Sequence, residues 1–260
     1  MITNTSSSQV KHVVQLQKKS KTRKEFLEFV VEGNKMVAEA PKDRVVKVYV
    51  SENFNNMNLD YIRELNIENK KIEIVSDSVF MQMSDTKTPQ GVMAVVKMAQ
   101  YEVNDILGEN ALIIAVENLQ DPGNLGTILR MGEGAGITGV IMSSNTVDIY
   151  NPKTIRSTMG SIYRVPFFYA KDFNEELEQL KENGVKIYAA HLDGKNTYTQ
   201  ESYKNATAFL IGNEGNGLTD SVTKKADTLI KIPMQGQVES LNAAIACTIL
   251  TYEAVRQRTV

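Results

Sequence analysis

Two short apolar runs late in this chain, residues 208–211 and 229–232, each lead straight into a loop that carries glycine. Short apolar runs bounded by turn residues are the pattern of strands buried on both faces of a parallel sheet. Strands that end together in such loops leave a crevice lined by backbone amides, where open α/β sheets hold their ligands. The first loop reads Gly212-Asn213-Glu214-Gly215-Asn216-Gly217-Leu218, following Ile211. The second reaches Ser240, expected here to be the N-cap of a long apolar-striped helix.

The loop residues narrow the ligand. Gly212, Gly215 and Gly217 allow close backbone approach or positive φ. A phosphate cradle closes on lysine and a hydroxyl residue. Here Leu218 follows the last glycine and Glu214 sets a carboxylate among the amides, so a nucleotide-like ligand without a phosphate tail fits better.

A third apolar run, residues 111–116, opens another strand, and Asp121-Pro122-Gly123-Asn124 leads into a helix carrying Leu125, Ile128, Leu129 and Arg130, with Asn124 expected as its N-cap. Dinucleotide binding would require G-x-G-x-x-G at that first turn. Asp121-Pro122-Gly123-Asn124-Leu125-Gly126 lacks the spacing, which disfavours an oxidoreductase. Further strands are expected over 139–142, 165–169 and 186–192, the last bringing His191 to its carboxyl end. Helices are expected over 152–162 and from Asp172 to a stop at Gly184.

Upstream, strands over 29–33, 45–50, 71–75 and 91–98 alternate with short helical stretches, the pattern of a small α/β unit. The boundary is placed where apolar periodicity lapses: a first domain over 1–100, a linker over 101–110 and a second domain over 111–260. Ahead of the first strand lie Lys11, Lys18, Lys19, Lys21, Arg23 and Lys24 with no acid between them. Such a run is a solvated face or a phosphate-contacting patch. A net charge of −2 excludes a globally basic nucleic-acid protein, so any RNA contact must be local. The single cysteine, Cys247, excludes an internal disulfide, agrees with a reducing cytoplasm and is expected to be buried and inert. Two histidines and no ligand-spaced cluster argue against a metal site. No apolar run approaches membrane-spanning length, and no signal-peptide pattern opens the chain.

Three segments together resemble the SpoU (TrmH-type) RNA 2′-O-methyltransferases of the SPOUT class. They are Asn124-Leu125-Gly126-Thr127-Ile128-Leu129-Arg130, the Gly212–Leu218 loop, and residues 232–242 from Ile232 through Met234 and Ser240 to Asn242. The resemblance covers roughly residues 110–258 and departs from the usual pattern at Thr127 and Asn213. The first hundred residues resemble, more loosely, the substrate-binding domain that many of these enzymes carry.

The resemblance implies a parallel sheet whose C-terminal part is tucked through a trefoil knot, S-adenosylmethionine bent in the crevice, and a homodimer with the site at the subunit interface. Arg130 would activate the ribose hydroxyl; Glu214, Asn242, Asn124 and Ser240 would orient the reactants. Gly212, Ile232, Leu241, Met234, Ile211, Asn213, Gly217 and His191 would hold the cofactor. The N-terminal unit, with its Phe29-Val30-Val31-Glu32-Gly33 junction, implies 23S ribosomal RNA as substrate, contacted by Lys18, Lys19, Lys21, Arg23 and Lys24. The alternatives are a non-enzymatic RNA-binding homologue, a tRNA 2′-O-methyltransferase, and base methylation on the same fold. Leu241, Ile245, Thr248, Tyr252 and Val255 form one stripe of the last helix, either ordinary core or a dimer seam.

Overall fold

The computed structural model describes residues 1–238 and 240–259. It divides into two compact units: Met1–Ala99 with Asp148–Tyr163, and Gln100–Val147 with the chain from Arg164 onward.

The first unit begins where the basic run stands, and that run is helical: α1 (Ser8–Lys18) and α2 (Ser20–Phe26). Val10, Val13, Leu16 and Gln17 recur at helical spacing and are buried, while Lys11, Lys18, Lys19, Lys21 and Lys24 stay exposed. Next come β1 (Glu28–Glu32), α3 (Asn34–Ala38), β2 (Val45–Ser51), α4 (Glu52–Met57), α5 (Leu59–Glu64), β3 (Ile72–Val75), α6 (Asp77–Met83) and β4 (Val92–Lys97). The strands pair in the order β1-β4-β2-β3, with β4 antiparallel to both neighbours and β2 parallel to β3. Ser76 caps α6, its hydroxyl accepting from the Val79 N–H; Ser51 caps α4 in the same way through Phe54.

Arg23 does not stay with the other cations. It is 3 % exposed, it ion-pairs with Asp148 at 2.6 Å, and it donates to the carbonyls of Leu16 and Gln17. A guanidinium this buried, with four of its five donors so engaged, is out of reach of a phosphate, so Arg23 leaves the predicted RNA-contacting set. Asp148 opens a segment that sits in this unit although the sequence reading assigned it to the 111–260 block. Its helix α8 (Pro152–Thr158) is capped by Asn151 and buries Thr154, Ile155 and Thr158; Tyr150 packs on Phe29 and the Tyr163 hydroxyl donates to the Met36 carbonyl. Met159 and Gly160, at φ 52° and 101°, stop α8 short of the predicted 162. Arg23→Ala strands Asp148 in a largely buried site and should cost about 3 kcal/mol, read as a lower denaturant midpoint. An unchanged midpoint would remove Arg23 from the framework.

The second unit holds β5 (Leu112–Val116), α7 (Pro122–Ala135), β6 (Gly139–Met142), β7 (Phe167–Tyr169), α9 (Phe173–Glu182), β8 (Lys186–Ala190), β9 (Asn196–Thr197), β10 (Thr207–Ile211), α10 (Asp220–Thr223), β11 (Thr228–Lys231) and α11 (Ala243–Thr259). Its seven strands run in the order β7-β6-β5-β10-β8-β11-β9, and every recorded pairing is parallel. This is the parallel α/β sheet the apolar runs predict. Every residue of β5 and of β10 is buried, as central strands covered on both faces require. The insertion of β10 between β5 and β8, with α11 returning to pack on α7, is consistent with a knotted C-terminal path.

The α11 stripe divides differently from the core expectation. Ala243, Ala244, Cys247, Leu250, Thr251 and Ala254 are buried, whereas Ile245 and Tyr252 are 54 % and 46 % exposed. Cys247 is buried as predicted, and burial pushes its thiol up to about 12.

Candidate active site

The carboxyl ends of β8, β10 and β11 open on a cleft of about 430 Å³. That volume falls in the ordinary range for small-molecule sites. Ile211, Gly212, Asn213, Glu214 and Gly217 line it from the first loop, Ile232, Met234, Ser240 and Leu241 from the second, and His191 from the end of β8. All eight residues proposed from sequence for the cofactor therefore border one cavity. The sequence reading did not single out Leu192, Asp193, Asn216, Lys231, Ala243 or Ala246, which line it as well. They carry no distinctive spacing; only the sheet order brings them there.

The first loop is held by its own backbone. Asn213 and Gly217 exchange backbone hydrogen bonds at 3.0 and 2.9 Å, and the Asn213 side chain accepts from the N–H groups of Gly215 and Asn216. Gly217 sits at φ +68°, in the left-handed region. At 212 the loop itself requires glycine. A Cβ there would lie 2.6 Å from the Gly217 carbonyl oxygen and closer still to Gly217 C and Leu218 N. The side chain is excluded by the returning arm of the same loop.

Glu214 ties this loop to the first motif. Its carboxylate accepts from the backbone N–H groups of Gln120 and Asp121, at 3.1 and 2.9 Å, and from the Asn124 side-chain amide at 3.0 Å. Asn124 in turn accepts from the Asn242 amide at 2.9 Å. One chain of hydrogen bonds thus joins residues from all three segments singled out in the sequence. Burial pushes the Glu214 carboxyl up, but the donors from Asn124, Asp121 and Gln120 outweigh it and hold the group below its ordinary value. A depressed folded pKa means this contribution is in place at neutral pH and is lost as pH falls through the folded value.

Two capping assignments change. Asp121, not Asn124, caps α7: its carboxylate accepts from the Asn124 N–H at 2.8 Å, with Pro122 at the first helical position. The Asp-Pro order was a legible signal for this. Asn242, not Ser240, accepts from the N–H groups of Ala244 and Ile245 at the start of α11. Both asparagine side chains are thereby fixed at helix starts. Ser240 is exposed at the cleft wall.

Asn118, in the turn after β5, supports the arrangement from behind. It is a non-glycine residue at φ 53°; its carbonyl accepts from the Asn213 and Gln120 side chains, and its N–H donates to the Ser143 hydroxyl. Arg130 lies six residues beyond Asn124 on α7, about 9 Å along the helix. It is exposed and, among the described residues, has neither an ion pair nor a hydrogen bond, while Ile128 and Leu129 beside it are buried. His191 keeps its Nδ1 as acceptor for the Asp193 N–H at 3.2 Å.

What this site can do follows from its parts. The cleft offers apolar walls, backbone amides and two carboxylates, Asp193 and a Glu214 already engaged by donors, with Lys231 as the only lysine or arginine in its lining among the described residues. That composition suits a nucleoside with a short polar tail, such as S-adenosylmethionine, better than a polyphosphate. No group of His, Cys, Asp and Glu suited to a metal ion occurs among the described residues.

Comparison with known proteins agrees with this geometry. Residues 111–252 match the SpoU rRNA Methylase family and residues 7–94 the MRM3-like substrate binding domain. The chain is 32% identical over 239 residues to the 23S rRNA (guanosine(2553)-2′-O)-methyltransferase RlmP of Bacillus subtilis, spanning 90% of this chain and 92% of that one. It is 31% identical to a 23S rRNA (uridine(2479)-2′-O)-methyltransferase of Streptomyces viridochromogenes, over 76% of this chain and 72% of the relative. Among solved structures, the SpoU methyltransferase AviRb of Streptomyces viridochromogenes in complex with AdoMet superposes with a TM-score of 0.87 at 26% identity, covering 97% of this chain and 98% of that one. An AdoMet-bound rRNA methyltransferase of Sinorhizobium meliloti gives 0.85 at 29%, covering 98% and 97%. All three segments joined by the Glu214–Asn124–Asn242 hydrogen bonds fall inside the matched stretch, and the chain belongs to the SpoU rRNA methylase family.

Proposed function

We propose that this protein transfers a methyl group from S-adenosylmethionine to a ribose 2′-hydroxyl of 23S ribosomal RNA. The observation that carries the reading is the hydrogen-bonded chain from Glu214 through Asn124 to Asn242, which fixes the helix bearing Arg130 to the rim of the cleft. A passive RNA-binding homologue has no need of that linkage. The 23S substrate is supported by the relatives that are 23S rRNA methyltransferases and by the match of residues 7–94 to a substrate binding domain.

S-adenosylmethionine supplies an electrophilic methyl on a sulfonium, and transfer leaves a neutral thioether. Gly212, Ile232, Met234 and Leu241 would hold its adenosine part, with Ile211, Asn213, Gly217 and His191 closing the walls. Arg130, always charged and carrying five donors in a fixed fork, orients the ribose hydroxyl and a neighbouring phosphate and stabilises the developing oxyanion as the oxygen takes the methyl and its proton passes to solvent. Glu214, Asn124 and Asn242 position Arg130 through α7, and Ser240 contacts either ligand from the second loop.

Supplied with S-adenosylmethionine carrying a labelled methyl, the protein should modify 23S RNA or large-subunit precursors and spare bulk transfer RNA. Alkaline hydrolysis should stop at the modified nucleotide, because a 2′-O-methyl blocks cleavage there. Labelled transfer RNA beside untouched 23S RNA, or a modified nucleotide that still cleaves, would overturn the proposal.

Lys18, Lys19, Lys21 and Lys24 are proposed as phosphate contacts, since all four are exposed on α1, α2 and the turn between them. Neutralising them together should weaken RNA binding and make its log–log salt dependence shallower by about 3. A slope that does not move would assign the patch to plain solvation. The exposed Ile245 and Tyr252 mark a face of α11 suited to a second copy of this chain. Light scattering at micromolar concentration should therefore give twice 29.0 kDa; a monomer mass would count against a site shared between subunits.

A further inference from the structure

The first unit holds a cleft of its own, about 580 Å³, at the end of the sheet where β1, β2 and β3 finish and β4 begins. Its floor depends on close approaches that only glycine permits. Gly91, at φ +92°, would place a Cβ 2.7 Å from Phe54 Cβ and 2.9 Å from the Ser51 hydroxyl. Gly33, at φ +98°, would place one 2.8 Å from the Gln90 side-chain oxygen. That oxygen accepts from the Asn34 N–H at 2.7 Å, which fixes the Gln90 amide and leaves its two N–H donors without a partner among the described residues.

The lining decides what would enter. Two methionines stand at the rim almost bare, Met57 at 75 % and Met81 at 56 % exposure. Large apolar side chains left in the open beside a cavity mark a contact surface, and the soft thioether adapts to flat rings. Amides surround them: Gln90 with free donors, Asn53 with no side-chain bond among the described residues, and Asn58, whose oxygen stays open while its nitrogen donates to the Phe54 carbonyl. Among the described residues Asp77 is the one charged residue of the lining, and no lysine or arginine lines the cleft. A phosphate would meet a carboxylate with nothing to neutralise it. A flat heterocycle with donors and acceptors on its edge finds partners on every side. An exocyclic amine suits the Asp77 carboxylate.

We propose that this cleft takes an unpaired nucleobase of the RNA substrate, sandwiched against Met57 and Met81 and read on its edge by Gln90, Asn53 and Asp77. Single-stranded loops are where proteins read RNA sequence, because only there can a base be splayed out. The cleft falls wholly inside the stretch matching a substrate binding domain, and the proposal rests on the RNA reading given above. It assigns to this unit a sequence-dependent contact that the lysines of α1 and α2 cannot supply.

The test uses the full-length protein with ¹³C-methyl methionine, observed by NMR. A mixed-sequence single-stranded RNA hexamer is added, with inorganic phosphate, a duplex of the same sequence and a lysine-rich peptide as comparators. The Met57 and Met81 methyls should move upfield and saturate with the hexamer and stay in place with phosphate and duplex. No shift with the hexamer, an equal shift with the duplex, or a shift with the peptide alone overturns the proposal. Met57→Ser with Met81→Ser, both on the surface, should keep the melting temperature and S-adenosylmethionine affinity while raising KM for RNA about 5–100-fold with kcat little changed. An unchanged KM with active enzyme sinks the cleft and leaves methyl transfer standing. Parent protein that methylates no RNA sinks the functional reading instead, and the hexamer shifts then judge the cleft alone.

Discussion

Replacing Arg130 with alanine should lower the rate of methyl transfer by about 10²–10⁴-fold, the scale of a lost positioned group at the reacting centre. Affinity for S-adenosylmethionine should stay nearly the same. The separation follows from where the residue stands. Arg130 is on α7, outside the lining of the cofactor cleft, exposed and unpaired among the described residues. Nothing in the fold depends on its charge, so the melting temperature should hold. Arg130→Lys keeps the charge but loses the planar fork and should fall between the two. Single-turnover rates and calorimetry on the same preparations decide it. A loss of cofactor affinity as large as the loss of rate would show that Arg130 serves binding rather than hydroxyl activation.

The second large effect is expected at Gly212. Gly212→Val should weaken S-adenosylmethionine binding by about 10²-fold or more and cost about 1–3 kcal/mol of stability. The cause is internal to the loop, because a Cβ at 212 would press on the backbone of Gly217 and Leu218, and backbone cannot swing aside as a side chain can. Gly215 is the control. A Cβ there meets only the Asn213 side-chain oxygen, at 3.6 Å, which is ordinary contact, so Gly215→Ala should be almost silent. If thermal melts and calorimetry found the two variants alike, the close approach of the two loop arms would not be what the cleft depends on.

How much of this could be read beforehand depended on whether the determinant was local. The central strands β5 and β10 were legible because burial on both faces writes itself as an uninterrupted apolar run. The gathering of Gly212, Ile232 and His191 at one cleft followed from the rule that parallel strands present their carboxyl ends together. Arg23 was misplaced because its partner, Asp148, is 125 residues away, and a basic run looks the same whether or not one member turns inward. The same charges hid the helical spacing of Val10, Val13 and Leu16. Asn124 and Ser240 were assigned as caps because both are good capping types. The structure gives those duties to Asp121 and Asn242, and only the register of each helix start separates the candidates. For α11, a stripe at helical spacing says that a face is apolar, not what covers it.

The assignment of Asp148–Tyr163 to the first unit has a consequence for how this chain comes to be folded. During synthesis the N-terminal unit is still incomplete when residue 99 leaves the ribosome, because its last piece ends only at residue 163, 64 residues later. At about 5–20 residues per second that is a delay of roughly 3–13 s. Throughout it Arg23 has no Asp148, the Phe29 ring awaits Tyr150, and the Met36 carbonyl awaits the Tyr163 hydroxyl. Meanwhile β5, α7 and β6 emerge in between. The nascent protein must therefore carry an unfinished first unit while it begins a second, and chaperones that shelter apolar surface have their opening in that interval.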